Sequence, residues 1–373
     1  MNQTPPLLDL LGVSWHVRSA ALAVAWNHHG ATVACALADG MLVLADGVWQ
    51  NGPTLAPRPG GGSAVVAARQ PAPEPLRVRA HHGACLALRA DRLGGFLTGG
   101  DDGRLVHTST SGACSQLAAQ RGHRVEAVDS GCAGMRAWAS GRSVRRLHLQ
   151  REDCIELPSA ATALGFDPAS RCLAIAHADG VTLWSIAESD GERDCEFEPQ
   201  CLVAPGDPMA LAWSPDGRHV VIGTREGALH GWRITDGGAI ALHGYAGQPN
   251  SLAFSGDGRF LVASGAARPV AWRFDPPGST EPPDECGITG KTPVTQVACH
   301  PSQALSAAGH HNGAIAPCQP ASADVLVVKD AGQGAVTALA WSPDASRLAF
   351  GTQDAGFGWV NLPAALFRAR TTA

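Results

Sequence analysis

Between Ala210 and Trp232 the chain alternates short apolar runs with tight polar turns. Residues 210–213 (Ala-Leu-Ala-Trp) are apolar, and Ser214-Pro215-Asp216-Gly217 follows at once. Proline fixes φ there and glycine is free to take a positive one, so the phrase predicts a tight turn. Residues 219–224 make a second apolar run, Arg225-Glu226-Gly227 a second turn, and 228–232 a third run ending in Trp232. Runs of this length broken by Pro, Asp and Gly predict a three-stranded antiparallel meander. No long stretch keeps a 3.6-residue apolar period, and strands do not alternate with helices, which disfavours a bundle or an α/β enzyme.

The phrase recurs along the chain. Ser251-Leu252-Ala253-Phe254 opens a copy that ends at Trp272, and Ala338-Leu339-Ala340-Trp341 opens one closing near Trp359. Ala163-Leu164-Gly165-Phe166 runs through Asp179-Gly180 to Trp184. Weaker copies begin at Val24-Ala25-Trp26, Leu86-Ala87-Leu88, Val125-Glu126-Ala127-Val128 and Val297-Ala298-Cys299. The first strand of each copy is thus expected to end at residues 26, 88, 128, 166, 213, 254, 299 and 341, spaced 62, 40, 38, 47, 41, 45 and 42 apart. All but the first spacing lie close to the ~40–45 residues of a four-stranded propeller blade. The long one contains the Pro/Gly-rich stretch at about 51–75, with Pro57-Arg58-Pro59-Gly60-Gly61-Gly62 at its middle. Such composition reads as a flexible surface insert.

Trp213-Ser214-Pro215-Asp216-Gly217 and Trp341-Ser342-Pro343-Asp344 resemble the first hairpin of a WD40 repeat. The Asp-Gly turns before Leu183-Trp184 and Gly231-Trp232 resemble its closing strand, and Gly122-His123 resembles the Gly-His pair of that family. No copy carries the family's Trp-Asp ending. The resemblance covers about Trp15 to Val360 and implies an all-β, closed β-propeller of four-stranded antiparallel blades. Eight copies give eight blades, with seven as the alternative only if one well-spaced copy is discarded. An open ring would leave unpaired strand edges. The last copy supplies three strands, so Val13 to Val17 is expected to pair with it and close the ring through a blade shared by the two chain ends, as WD40 propellers usually do. Residues 1–373 then form a single domain.

Composition narrows the function. With 28 basic and 33 acidic residues the net charge is −5, so no overall field favours nucleic acid or an anionic membrane. The amino terminus lacks the features of a secretory signal, and no apolar run approaches the ~20 residues needed to span a bilayer. The 11 cysteines are scattered singly, which fits free, mostly buried thiols in a reducing cytoplasm. Arginine-dominated basicity and abundant Ala and Gly suggest a bacterial origin.

Catalytic signatures are missing. Gly290-Lys291-Thr292 ends like a phosphate loop, but Glu285 stands where the loop needs glycine. There is no Gly-x-Ser-x-Gly elbow, His-Glu-x-x-His pair or Cys-x-x-Cys. The expected reading is a non-enzymatic scaffold, monomeric and without a cofactor, that binds another protein or a peptide through loops on a rigid ring. Two alternatives stand beside it. One is a propeller hydrolase or lyase with its site in the central funnel. The other is a zinc-related binding protein that uses a histidine-bearing loop face. For the latter, His81, His82, His123, His177, His310 and His311 fall in loop types that open on one face of a WD40 ring, and imidazole is a common zinc ligand. Some bacterial WD40 proteins of similar pattern are encoded beside zinc-handling GTPases, which points the same way. His123 is also the residue that the resemblance assigns to the Gly-His role.

Charge clustering supplies candidates for partner binding. Arg142, Arg145 and Arg146 sit in an arginine-rich third copy, and Glu192, Asp194 and Glu196 in an acidic stretch after the fourth. They read either as solvated edges or as docking patches of opposite sign. Most tryptophans end first or third strands, where aromatic area fills the wedge between blades. Trp49, beside the insert, is the one expected at the surface.

Overall fold

The computed structural model describes residues 5–58, 62–120, 122–186, 199–243, 245, 247–275, 277, 282–319 and 326–367. It is a ring of eight antiparallel blades, whose strands a to d run outward from the axis in chain order except in blade 8, where the outermost strand comes from the amino-terminal end. The innermost strands are Ala21–Trp26, Cys85–Ala90, Ala127–Ser130, Ala161–Phe166, Pro208–Trp213, Leu252–Phe254, Val294–Cys299 and Val336–Trp341, in blades 1 to 8. Each lies against the next, and that of blade 8 lies against that of blade 1. Two of these strands end two residues later than expected, at Ala90 and Ser130 instead of Leu88 and Val128. Their a–b turns lack the Ser-x-Asp pattern that marks the boundary in blades 5, 6 and 8.

Turn chemistry explains the regularity. The residue after strand a uses its side chain to hold the turn closed. Ser214 Oγ accepts the His219 N–H at 2.9 Å, Ser255 Oγ the Phe260 N–H at 3.0 Å, and Ser342 Oγ the Arg347 N–H at 3.0 Å. Asn27 and Asp167 do the same for Thr32 and Cys172. Between strands b and c the chain needs a left-handed residue, and Gly40, Gly103, Gly227 and Gly313 supply φ of +74° to +89°. In blade 8 Ala355 takes that position at +63°.

Packing between blades follows the aromatic positions. Trp26, Trp184, Trp232, Trp272 and Trp341 are all buried. At roughly 25 cal/mol per Å², an aromatic side chain that hides about 150–250 Å² contributes on the order of 4–6 kcal/mol before ordering costs. The indoles also stitch. Trp26 Nε1 donates to Ala340 O at 3.0 Å, Trp213 Nε1 to Gly165 O at 2.9 Å and Trp341 Nε1 to Ala298 O at 3.0 Å, each one blade back. Cys299 Sγ makes the equivalent contact to Ala253 O at 3.5 Å. Trp49 departs from expectation. It is half-buried against the core shared by blades 1 and 8.

The ring closes through blade 8, where Gly12–His16 pairs antiparallel with Gly356–Asn361 and sets Trp15 opposite Phe357. Trp359 Nε1 donates across this seam to Asp46 O at 3.1 Å. The Arg347 guanidinium lies over the Trp26 ring, 5.1 Å from its centroid, and donates to Gly47 O. Among the described residues, blade 7 has three regular strands, and a single Ile315–Lys329 bridge stands in the fourth position. The helix Leu7–Leu11 borders that bridge through Leu8 N to Val328 O at 2.8 Å. Within the insert, Thr54–Pro57 pairs with Ser63–Val66 as a hairpin, and Leu55 packs toward the core of blades 7 and 8. Among the described residues no helix is long and apolar enough to cross a membrane.

Candidate functional site

Antiparallel alternation gives the ring two faces. The b–c turns and the d-to-a connections open on one, and the a–b turns and c–d connections on the other. The six candidate histidines all lie on the b–c side, as the sequence indicated, but their environments differ. His81 is fully buried, with Nδ1 2.9 Å from Asp102 Oδ1 and Nε2 2.9 Å from Thr98 Oγ1. It ties the d-to-a connection to strand b and to the b–c turn of blade 2. This is the part that the resemblance assigned to His123, which instead stands exposed. The search for a Gly-His pair missed His81 because Ala80 precedes it.

His177 is also buried, 2.8 Å from Thr182 Oγ1 through Nε2. Burial holds both imidazoles below the usual histidine range, with Asp102 and Asp179 opposing. Neither has a ring nitrogen left for a metal. His82 and His311 are exposed. Among the described residues no group of three His, Cys, Asp or Glu side chains is placed to hold a metal ion. The six histidines therefore share a face without converging.

His310 is the exception in chemistry. Its Nδ1 donates to Thr292 O at 3.3 Å, which leaves Nε2 as a lone-pair acceptor, buried and unpartnered. It lines a cavity of about 210 Å³ between blades 6 and 7, with Ala267, Ile288, Thr289, Thr292 and Asn312 among its walls. Burial depresses this imidazole too.

The arginines of blade 3 are not a bare positive patch. Arg145 pairs with Glu152, and Arg146 Nη2 lies 2.9 Å from Asp153 Oδ2, across strands Ser143–His148 and Arg151–Glu156. Arg146 also stacks 4.4 Å over the Trp184 ring. Arg142 is exposed, with Nε donating to Leu157 O at 2.8 Å. The hairpin turn at 149–150 sets Arg145 and Arg146 each against an acid seven residues on, a pairing that depends on the strand register. Glu192, Asp194 and Glu196 lie outside the described residues.

On the innermost strands the only charged side chains are Arg89 and Asp129. They stand 3.8 Å apart. Asp129 Oδ2 accepts the Phe166 N–H at 2.8 Å, and burial raises its carboxyl above the usual range. Asp91, just after strand a of blade 2, is fully buried. It receives Arg136 Nη2 at 2.7 Å and Nε at 3.0 Å, and Ser130 Oγ at 3.1 Å, which locks blade 2 to blade 3.

The opposite face carries what the sequence did not single out. Among the described residues, the large exposed hydrophobics include Val48, Val65, Val66, Leu93 and Leu149, all in a–b turns or c–d connections of blades 1 to 3. Leu93 is 68% and Leu149 82% exposed. Leu149 and Gln150 form the two-residue turn between His148 and Arg151, and both take a positive φ, +46° and +67°. A bulky residue held there is uncommon. One signal was available. Leu93 occupies the turn where other copies place Pro-Asp or Gly-Asp, and an apolar residue in a turn has no core to enter.

No family model matches the chain, and no curated protein matches its sequence. Solved structures do match. Sqt1 from Chaetomium thermophilum, a WD40 protein, superposes with a TM-score of 0.70 at 15% identity, over 95% of this chain and 98% of that one. The computationally designed Ika8 protein gives a TM-score of 0.68 at 18% identity, over 92% and 97%. Identities this low show the fold alone, and they agree with the blade count and closure described above: the chain is an eight-bladed β-propeller.

Proposed function

We propose that this propeller is a non-enzymatic scaffold of WD40 type that binds another protein or a peptide through the a–b face of blades 1 to 3. The observation that carries this reading is that exposed Val48, Leu93 and Leu149 all stand in turns on the a–b face of three consecutive blades. Burying a Leu or Val side chain is worth roughly 1.5–3 kcal/mol, so a few such residues leave an interface's worth of stabilisation unused in the free chain. The rigid ring supports the same reading, because loops on a fixed frame lose little entropy when they dock.

The test is affinity capture of the tagged full chain from its native host, read by mass spectrometry. Three proteins are compared: wild type, Leu93→Asp/Leu149→Asp, and His82→Ala/His311→Ala on the opposite face, each checked for native circular dichroism. A stoichiometric partner that the first variant loses and the second keeps is the expected result. Capture that survives Leu93→Asp/Leu149→Asp, or that fails only in the histidine variant, overturns the assignment to this face.

A further inference from the structure

Two thiols between blades 6 and 7 lie closer to each other than packing requires. Cys286 follows the short outer strand Asp284–Glu285 of blade 6, and Cys318 ends strand Ile315–Cys318 of blade 7. Their sulfurs are 3.3 Å apart, and the residues are 0% and 2% exposed. An S–S bond is about 2.05 Å long, so a shift of roughly an ångström would close one. The surroundings favour the approach. Cys286 N donates to Pro269 O at 3.1 Å, which holds the chain against blade 6. The glycine that follows, Gly287, takes φ +84°, and a Cβ there would stand 3.4 Å from Cys318 Cβ.

We propose that Cys286 and Cys318 are a redox-reversible dithiol, closed to an inter-blade disulfide by a hydroperoxide and reopened by thiol reductants. The two sulfurs are not equivalent. Cys318 Sγ accepts the Cys286 S–H and lies 3.2 Å from Ser306 Oγ. These contacts pull its thiol below the usual range, whereas donation to Cys318 and burial push Cys286 up. Cys318, the sulfur with the additional Ser306 hydroxyl contact, is assigned as the attacking thiol. Its sulfur attacks one peroxide oxygen, the O–O bond breaks, and hydroxide leaves and takes up the thiol proton as water. The Cys318 sulfenic acid that remains is attacked by the Cys286 sulfur, forming the S–S bond and releasing a second water. In balance, two thiols and one hydrogen peroxide give one disulfide and two waters, with two electrons passing from sulfur to oxygen.

The bond would matter at this place in the ring. Among the described residues, blade 7 has only a bridge in its fourth position. Cys286 also anchors the start of the segment that carries Ile288, Thr289 and Gly290 in the cavity wall. Oxidation would tie that segment to strand c of blade 7 and close a loop of 32 residues.

The experiment treats the full-length protein with hydrogen peroxide, blocks remaining thiols by alkylation under denaturing conditions, and maps peptides without reduction. The expected result is a linked Cys286–Cys318 peptide about 2 Da lighter than the sum of its thiol forms, and a melting temperature raised by about 5 °C. Both changes should reverse with dithiothreitol and be missing in Cys318→Ser. If Cys286 and Cys318 are both recovered alkylated at a peroxide concentration that has oxidised exposed Cys114, the proposal fails. The wild-type map decides this even if the variant does not fold.

Discussion

The two-residue turn at Leu149-Gln150 offers a quantitative test of stored strain. Strands Ser143–His148 and Arg151–Glu156 pair in register up to His148 and Arg151, so only two residues connect them, both with positive φ. A two-residue hairpin with two left-handed residues prefers Asn-Gly, because Asn tolerates that region and Gly has no Cβ to clash. For other L-residues the conformation costs roughly 1–2 kcal/mol each. Gln150→Gly should recover that cost less about 0.5–1 kcal/mol for the freer unfolded chain. The net gain is about 0.5–1 kcal/mol. Leu149→Asn adds a similar amount, and with 82% of Leu149 exposed little packing is lost. The pair should therefore stabilise the protein by about 1–2 kcal/mol. Urea unfolding followed by tryptophan fluorescence reads this as a higher midpoint at unchanged slope. Leu149→Ala is the control. It keeps the left-handed backbone and removes the exposed side chain, so it should be near neutral. A double variant no more stable than wild type would refute the strain. A Leu149→Ala variant as stable as the double would assign the gain to removal of an exposed apolar group. If Gln150→Gly alone gains stability and also loses the partner in the capture experiment, with Leu149 unchanged, the strain is kept for binding, as at other functional sites.

Two further outcomes follow from buried charge. Asp91→Ala would strand the half-buried Arg136 guanidinium and Ser130 between blades 2 and 3, and should cost about 3–5 kcal/mol in chemical unfolding. A cost below about 1 kcal/mol would mean the blades do not depend on this pair. The second concerns pH. Burial is the main cause that lowers the pKa of His28, His81, His177, His219, His300 and His310 in the folded chain. Below about pH 6.5 the unfolded chain takes up protons that these folded imidazoles resist, so stability is level above about pH 6.5 and falls as pH drops from there to their depressed values. Asp129, with its raised carboxyl, acts in the opposite sense at more acidic pH. Urea midpoints at about pH 8, 7, 6 and 5 should show the decline only in the lower half of that range, and a profile level throughout would contradict it.

How much of this was legible in the sequence depends on the range over which each feature is decided. The blade phrase is local. Strand, Ser-Pro-Asp-Gly turn, strand and Asp-Gly turn fit within some twenty residues, so backbone preference and side-chain capture by Ser214, Ser255 or Asp167 write them directly into the chain. Eight such phrases and the unpaired edge of the last one required closure by residues near Val13. The histidines, arginines and cysteines are another matter. His81 is spent on Asp102 and Thr98, Arg146 stacks on Trp184 of the next blade, and Cys286 meets Cys318, in each case through packing between segments that the local phrase does not specify. The face richest in exposed apolar residues emerged the same way. Leu149 looks like a core leucine until the ring sets it on its rim, and only Leu93, by its place in a turn, hints at exposure beforehand. The sequence by itself determined the repeating unit, its number and how the ring shuts, because local energetics decide those. Only the tertiary structure decided which polar groups neutralise one another and which apolar groups are left facing water, because burial and charge pairing are properties of neighbours brought together from distant parts of the chain.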